Sequence, residues 1–267
     1  MNAPAASRTV TYVYCVVAAS KRPRLTRLPA GLPGTGPVRL LELGPQRYLA
    51  VADAPLPRYG QAAIRRGLTD LTWVSRAAMA HEAVVEAFIG ATAVLPMKLF
   101  TLFTSDDRAL AGLSADRRRI DALVARLADH LEWGVRLMLN PVSPARRKDQ
   151  ATGNNGAGSG TRRLGIAYLN QKRAERDAAR ERAQRARSVA ADLYERLSDR
   201  SRAAKRRPPG EVPAGEAPLL LDAAFLVPRR GSRSFGALLR REQRQLESRG
   251  YHLTVTGPWP PYSFVQQ

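Results

Sequence analysis

The sequence predicts an α+β fold built in two parts. Two observations predict it. Short Val-, Tyr- and Leu-rich stretches of strand length alternate with amphipathic helical stretches near both ends of the chain. Between them lies one long Ala-, Arg-, Glu- and Gln-rich stretch, entered through the polar tract ATGNNGAGSG. The parts are expected at 1–132 and 133–267.

Residues 1–8 read as a frayed tail. Residues 9–19, with TVTYVYCVVA, have the composition of a buried first strand and not of a Leu-rich secretory leader, so no signal peptide is expected. Residues 20–37 hold four Pro and three Gly and form a loop. Segments 38–43 and 48–52 flank Gly44-Pro45 as a hairpin. Residues 57–67 carry one short helix. A clear helix runs over 71–89, because Leu71, Val74, Ala78, His81, Val85 and Phe88 share a stripe. Asp70 caps its start and Gly90 ends it. Residues 93–97 form a short strand holding Pro96. Ser105 caps a short helix, and 116–131 forms another with Ile120, Leu123, Val124, Leu127 and Leu131 inward. Residues 133–139 are a strand.

The second part opens with a loop over 141–161. A basic helix is expected over 162–207, with a thin stripe through Ala167, Ala174, Ala178, Ala186, Val189, Leu193 and Leu197. A stripe that thin buries little area, so the helix needs a partner helix, in the same chain or another. Residues 219–227, 232–249 and 251–256 then read as β-α-β, followed by the Pro/aromatic tail GPWPPYSFVQQ.

Composition narrows the function. The 267 residues are 44% hydrophobic, which supports a packed core. No apolar run approaches the ~18 residues of a spanning helix. Cys15 is the single cysteine, which excludes an intrachain disulfide. The net charge is +20, half of it within 141–215. Such a surplus admits three readings: a solvated basic face, an acidic protein partner, or nucleic acid held by the helix at 162–207. No RNA-recognition aromatic motif, zinc-finger spacing or GXXG loop supports the third. A soluble, basic, intracellular protein is expected.

Catalytic signatures are missing. His81-Glu82 has the start of a zinc-protease motif, but Val85 stands where the second imidazole must be. His81 reads instead as a hydrogen-bonded interior residue and Glu82 as a solvent carboxylate. The run from Gly31 to Gly36 lacks the Lys-Ser/Thr ending of a phosphate loop and precedes a strand. No G-x-S-x-G elbow occurs. Cys15, in its Val-rich strand, reads as a buried, inert thiol. No enzyme, metal or cofactor is expected.

Ordered local patterns then resemble one family. They are the aromatic strand Tyr12–Val17; the helix Trp73–Val85 with its His81-Glu82 pair; and Val94–Thr101, similar to a Pro-x-Arg-Phe-Gly-Thr segment with Pro96 and Lys98. They continue with the strand entry Glu132-Trp133-Gly134-Val135; Tyr168-Leu169 before Lys172-Arg173; and the ending Thr256–Phe264 with Trp259, Tyr262 and Phe264. Together they resemble the gas vesicle protein GvpL/GvpF family over residues 12 to 264. The sequence departs from it at Lys98-Leu99-Phe100, where the family carries Arg-Phe-Gly, and in the 151–160 Gly/Asn tract, which looks inserted.

The resemblance implies a ferredoxin-like N-terminal domain. It implies a second α+β domain with a long helical, coiled-coil hairpin, closed by a packed C-terminal tail. It also implies a minor structural or assembly protein of gas vesicles, cytoplasmic organelles, in contact with the major shell protein and with other accessory proteins. His81, Glu82, Pro96, Lys98, Trp133, Trp259, Tyr262 and Phe264 are its candidate structural or interaction residues. In the tail, prolines fix the backbone around three aromatic anchors. That favours packing back onto the junction of the two parts over a free, peptide-like arm.

Overall fold

The structure is a computed structural model that describes residues 9–26, 28–140, 161–208 and 218–265, the side chains of 161–167 and 169 apart. The Gly/Asn tract and Pro209-Gly210 lie outside the described residues. The chain divides into two units, Met1–Glu132 with Pro258–Gln267, and Trp133–Gly257. The tail thus groups with the first unit, whereas the sequence reading kept it with the second.

Strand β1 (Thr9–Ala18) is the centre of the first unit. It pairs antiparallel with β3 (Arg47–Pro55), with β4 (Ala93–Pro96) and with the two-residue β5 (Leu102–Phe103). Strand β2 (Arg39–Gly44) pairs antiparallel with β3, giving the order β2-β3-β1-β4. A bulge between Val13 and Cys15 shifts the register of β1. It therefore turns Tyr12, Tyr14, Cys15 and Val17 toward one core, which strict alternation would forbid. Between β1 and β2 the described residues form turns and coil without a helix. Gly31 in that loop has φ +76°, and a Cβ there would stand 2.4 Å from the Tyr14 hydroxyl, so only glycine fits.

Two short helices, α1 (Leu56–Tyr59) and α2 (Gln61–Gly67), stand where one was expected; the chain breaks at Gly60 in extended conformation. Helix α3 (Leu71–Ala87) is capped by Asp70, whose carboxylate accepts from the backbone N–H groups of Thr72 and Trp73. Its buried residues are Ala77, His81, Val84 and Val85. Leu71, expected on the inner stripe, is 80% exposed, because the buried face starts one turn later. The helix stops at Ala87, before Gly90. Helix α4 (Asp106–Ala115) is capped by Ser105, and α5 (Arg117–Leu127) follows. The expected helix to Leu131 ends early: Asp129 takes a left-handed φ of 55°, and strand β6 (His130–Leu139) starts at His130. Leu131 is buried, but in a strand.

In the second unit the sheet order is β7-β8-β6-β9, with β7 (Ala203–Arg206), β8 (Leu219–Pro228) and β9 (Tyr251–Trp259). Helices α6 (Thr161–Ser198) and α7 (Ser232–Glu247) share its core: Val189, Leu193 and Leu197 of α6 and Phe235, Leu239 and Leu246 of α7 meet Leu221, Phe225 and Val227 of β8. The basic helix expected over 162–207 therefore ends at Ser198, and Ala203–Arg206 pairs antiparallel with β8. The Ala-Lys-Arg composition of β7 suits a helix, but the backbone bonds offered by β8 outweigh that weak preference. Of the expected stripe, Ala174 and Ala178 are exposed and Ala186, Val189, Leu193 and Leu197 are buried; the Ala167 side chain lies outside the described ones. No second helix of that length occurs among the described residues, so the expected hairpin is not seen in them.

Candidate functional site

The first unit buries an aromatic and polar network under α3. His81 is 3% exposed and its Nδ1 lies 2.7 Å from the Tyr12 hydroxyl. That hydroxyl accepts from the Phe100 backbone N–H at 3.3 Å, so its own hydrogen is directed to His81. The imidazole is then neutral with its proton on Nε2. Burial pushes its pKa down from 6.5 to about 4, with the Met97 backbone opposing part of the effect. Burial also raises the Tyr12 phenol and the Cys15 thiol far above their ordinary range. The Tyr14 hydroxyl accepts from Leu32 N–H, and the rings of Tyr12 and Tyr14 stand 4.7 Å apart, edge on. Glu82, one residue after His81, is exposed.

A hollow of about 270 Å³ opens on the opposite side of the same sheet. Val16, Leu95, Leu113, Ile120 and Leu123 form its apolar lining, with Pro96, Lys98, Arg119 and Val265 also on its wall. Pro96 is buried at the end of β4, where its missing N–H breaks no ladder bond inside the sheet. Lys98 is exposed, and its carbonyl accepts from the N–H and hydroxyl of Thr101. Two residues on, Phe100 holds a left-handed φ of 64° and stacks on Trp73 at 5.0 Å. The resemblance places glycine at this position, the residue for which that conformation is unstrained.

The tail is held by a clasp. Glu132 is 4% exposed and accepts from the backbone N–H and hydroxyl of Ser263, both at 2.7 Å. Arg126 donates to the Phe264 carbonyl. Tyr262 packs against the core of the first unit, and burial raises its phenol. Phe264 is half-buried, whereas Trp259 is 36% exposed and anchors little. In the second unit, Trp133 donates its indole N–H to Ser232 Oγ at 3.0 Å and packs on Phe235. A Cβ on Gly236 would stand 2.9 Å from that indole.

The eight candidates therefore fall into five places. His81 joins Tyr12 and Tyr14. Pro96 and Lys98 lie at the hollow, which Val265 of the tail also reaches. Tyr262 and Phe264 are in the clasp. Trp133 is in the core of the second unit, and Glu82 and Trp259 face solvent. Sequence reasoning missed Glu132, Ser263 and Arg126 as a set. A carboxylate inside an otherwise apolar strand pattern was the signal for Glu132. Nothing in the spacing could have revealed its partner 131 residues away.

Among the described residues no three His, Cys, Asp or Glu side chains are placed to share a metal ion, and no helix is long and apolar enough to cross a membrane. Two buried carboxylates of the second unit are held by arginines. Asp222 is held by Arg136 and Arg207, and Glu242 by Arg196. Fold and site together define a two-unit α+β protein with antiparallel sheets, whose buried carboxylates Glu132, Asp222 and Glu242 are each held by hydrogen bonds or ion pairs.

Residues 10–266 match the family described as gas vesicle synthesis protein GvpL/GvpF. The chain belongs to that family. It is similar to gas vesicle protein L of a Streptomyces species, 31% identical over 95% of this chain and 92% of that one. It is also similar to gas vesicle protein F of the same organism, 31% identical over 96% of this chain and 99% of that one. Its fold matches the crystal structures of GvpF from Anabaena and from Microcystis aeruginosa. The TM-scores are 0.65 and 0.66 at 16% and 14% identity, with 97% of this chain covered in each case and 97% and 99% of those chains.

Proposed function

We propose that this chain is a minor structural or assembly protein of gas vesicles that binds the major shell protein and supports vesicle formation. The observation that carries the reading is the family match, which runs through both units instead of one motif. The physics supports it. A wall that faces gas must present an apolar surface, yet its subunits are made in water, where exposed apolar area aggregates. A soluble partner that covers such area lets ordered growth compete with aggregation. That task needs surfaces and no cofactor or catalytic step. It places the chain at the gas vesicle, in the cytoplasm, with other accessory gas vesicle proteins as further partners.

Two finer structural readings belong with this one. The strand order β2-β3-β1-β4 supports a ferredoxin-like first unit whose first crossover is coil instead of helix. The exposed half of α6 supports one arm of a helical hairpin.

That same half of α6 favours a second reading, nucleic-acid binding. It carries seven cations against three carboxylates between Tyr168 and Arg187. One experiment separates the two: capture of purified shell protein by this chain, after nuclease treatment, at low and at high salt. Capture that survives high salt supports an apolar contact. Capture only at low salt assigns the contact to charge on α6. No capture at either overturns the shell-binding reading.

A further inference from the structure

The hollow beside β4 is a cavity of the first unit that the aromatic network under α3 does not use. Its volume of about 270 Å³ exceeds the ~150 Å³ of a dry apolar cavity that takes up benzene. At the ~30 Å³ of a water-sized group, it has room for about nine heavy atoms. Aliphatic side chains from β1, β4, α4 and α5 line it, and Val16, Leu95, Leu113 and Ile120 among them are buried. Three charged side chains stand on the same wall: Lys98, Arg119 and Asp116. All three are exposed. Among the described residues none of the three side chains has an ion pair or a hydrogen bond, and Asp116 does not cap α5, which it precedes. Thr101, also on the wall, spends its hydroxyl on the Lys98 carbonyl. An apolar floor thus lies beneath a rim with one positive charge in excess, the combination that fixes and orients a small amphiphile.

We propose that this hollow is a binding site for a small aliphatic monocarboxylate, its chain among Val16, Leu95, Leu113, Ile120 and Leu123 and its carboxylate at Lys98 and Arg119. The charge selects the occupant. A neutral chain, or the apolar side chain of a protein partner, leaves both cations unmatched, and an amine adds a third positive charge to them. A carboxylate meets them, and the arginine fork suits its geometry. The site is independent of shell binding and stands or falls alone.

The test is calorimetric titration of the full chain at neutral pH with hexanoate, 1-hexanol and hexylamine, all of which fit the volume. Hexanoate is expected to saturate one site with a Kd below about 1 mM, and the alcohol and the amine to bind at least about tenfold more weakly. In Lys98→Gln with Arg119→Gln, hexanoate is expected to weaken about tenfold while hexanol is unaffected. Both side chains are exposed, so the melting temperature is expected to hold. The control, Arg233→Gln with Arg241→Gln, removes the same charge from exposed positions of α7 and is expected to bind hexanoate as the wild type does. Leu123→Trp fills the hollow from α5 and is expected to abolish hexanoate binding; if that variant melts early, the charge variants carry the test. Absence of saturable hexanoate binding overturns the proposal. So does binding within twofold of wild type in the Lys98 and Arg119 variant, or equal affinity for hexanol. An equal loss in the α7 control assigns the effect to net charge and overturns it as well.

Discussion

A neutral, buried imidazole makes folding depend on pH in one direction. In the unfolded chain His81 titrates near 6.5, and in the folded chain near 4. Below pH 6.5 the unfolded state therefore binds more protons. The contribution of His81 is fully present above pH 6.5, falls by on the order of 3 kcal/mol as pH drops to 4, and is flat below. Denaturant unfolding between pH 7 and 4 measures it, and in His81→Gln the difference between the two ends shrinks by about that amount. Phe100 tests strain in the same network. Phe100→Ala keeps the left-handed φ and loses the stack on Trp73, whereas Phe100→Gly loses the stack and relieves the backbone. The Gly variant is expected to be more stable than the Ala variant by about 1 kcal/mol. Equal stabilities would mean that the conformation at 100 stores no strain. His81 as an interior residue was legible from its place on an apolar stripe. Its Tyr12 partner was not, because a strand–helix contact across 69 residues leaves no local pattern.

At the scale of elements, the tail and α6 carry the clearest expectations. Truncation after Gly257 removes Tyr262 from the first core and two donors from Glu132, so the melting temperature should fall by several degrees. An unchanged melting temperature would mean that the clasp holds nothing. Helix α6 is two helices energetically. Its C-terminal half is anchored by Val189, Leu193 and Leu197, while residues 170–185 are exposed all round. Leu193→Ala should cost ~3 kcal/mol, and amides at 170–183 should exchange much faster than those at 189–197, read by hydrogen exchange. Strand β1 and the hairpin were legible from strand-forming composition between turn residues, and α3 and α7 from their apolar period, with the Asp70 cap marking the start of α3. β7 was not, since Ala203–Arg206 is a strand only through its pairing with β8. The two-helix break at Gly60 and the early stop of α5 at Leu127, before the left-handed Asp129, were missed for a related reason. Both depend on backbone conformations that composition does not announce.

For the whole molecule, charge and family membership set the expectations. Half of the +20 surplus falls in 141–215, so association through it should weaken steeply with salt. The exposure of Leu71 was not legible in the sequence. Leu71 reads as core by spacing alone, and only the packing of the first unit shows it facing outward. Family membership, in contrast, was legible from short ordered motifs, because several are positions of close approach: Gly134 beside Thr256, Trp133 against Gly236, and Ser263 on Glu132. The most direct measurement of the central claim is deletion of the gene in its host, with pressure-sensitive turbidity as the readout for gas vesicles. The account predicts that this turbidity is lost on deletion and restored by the intact gene supplied in trans. Turbidity that collapses normally under pressure in the deletion strain would contradict a role in gas vesicle formation.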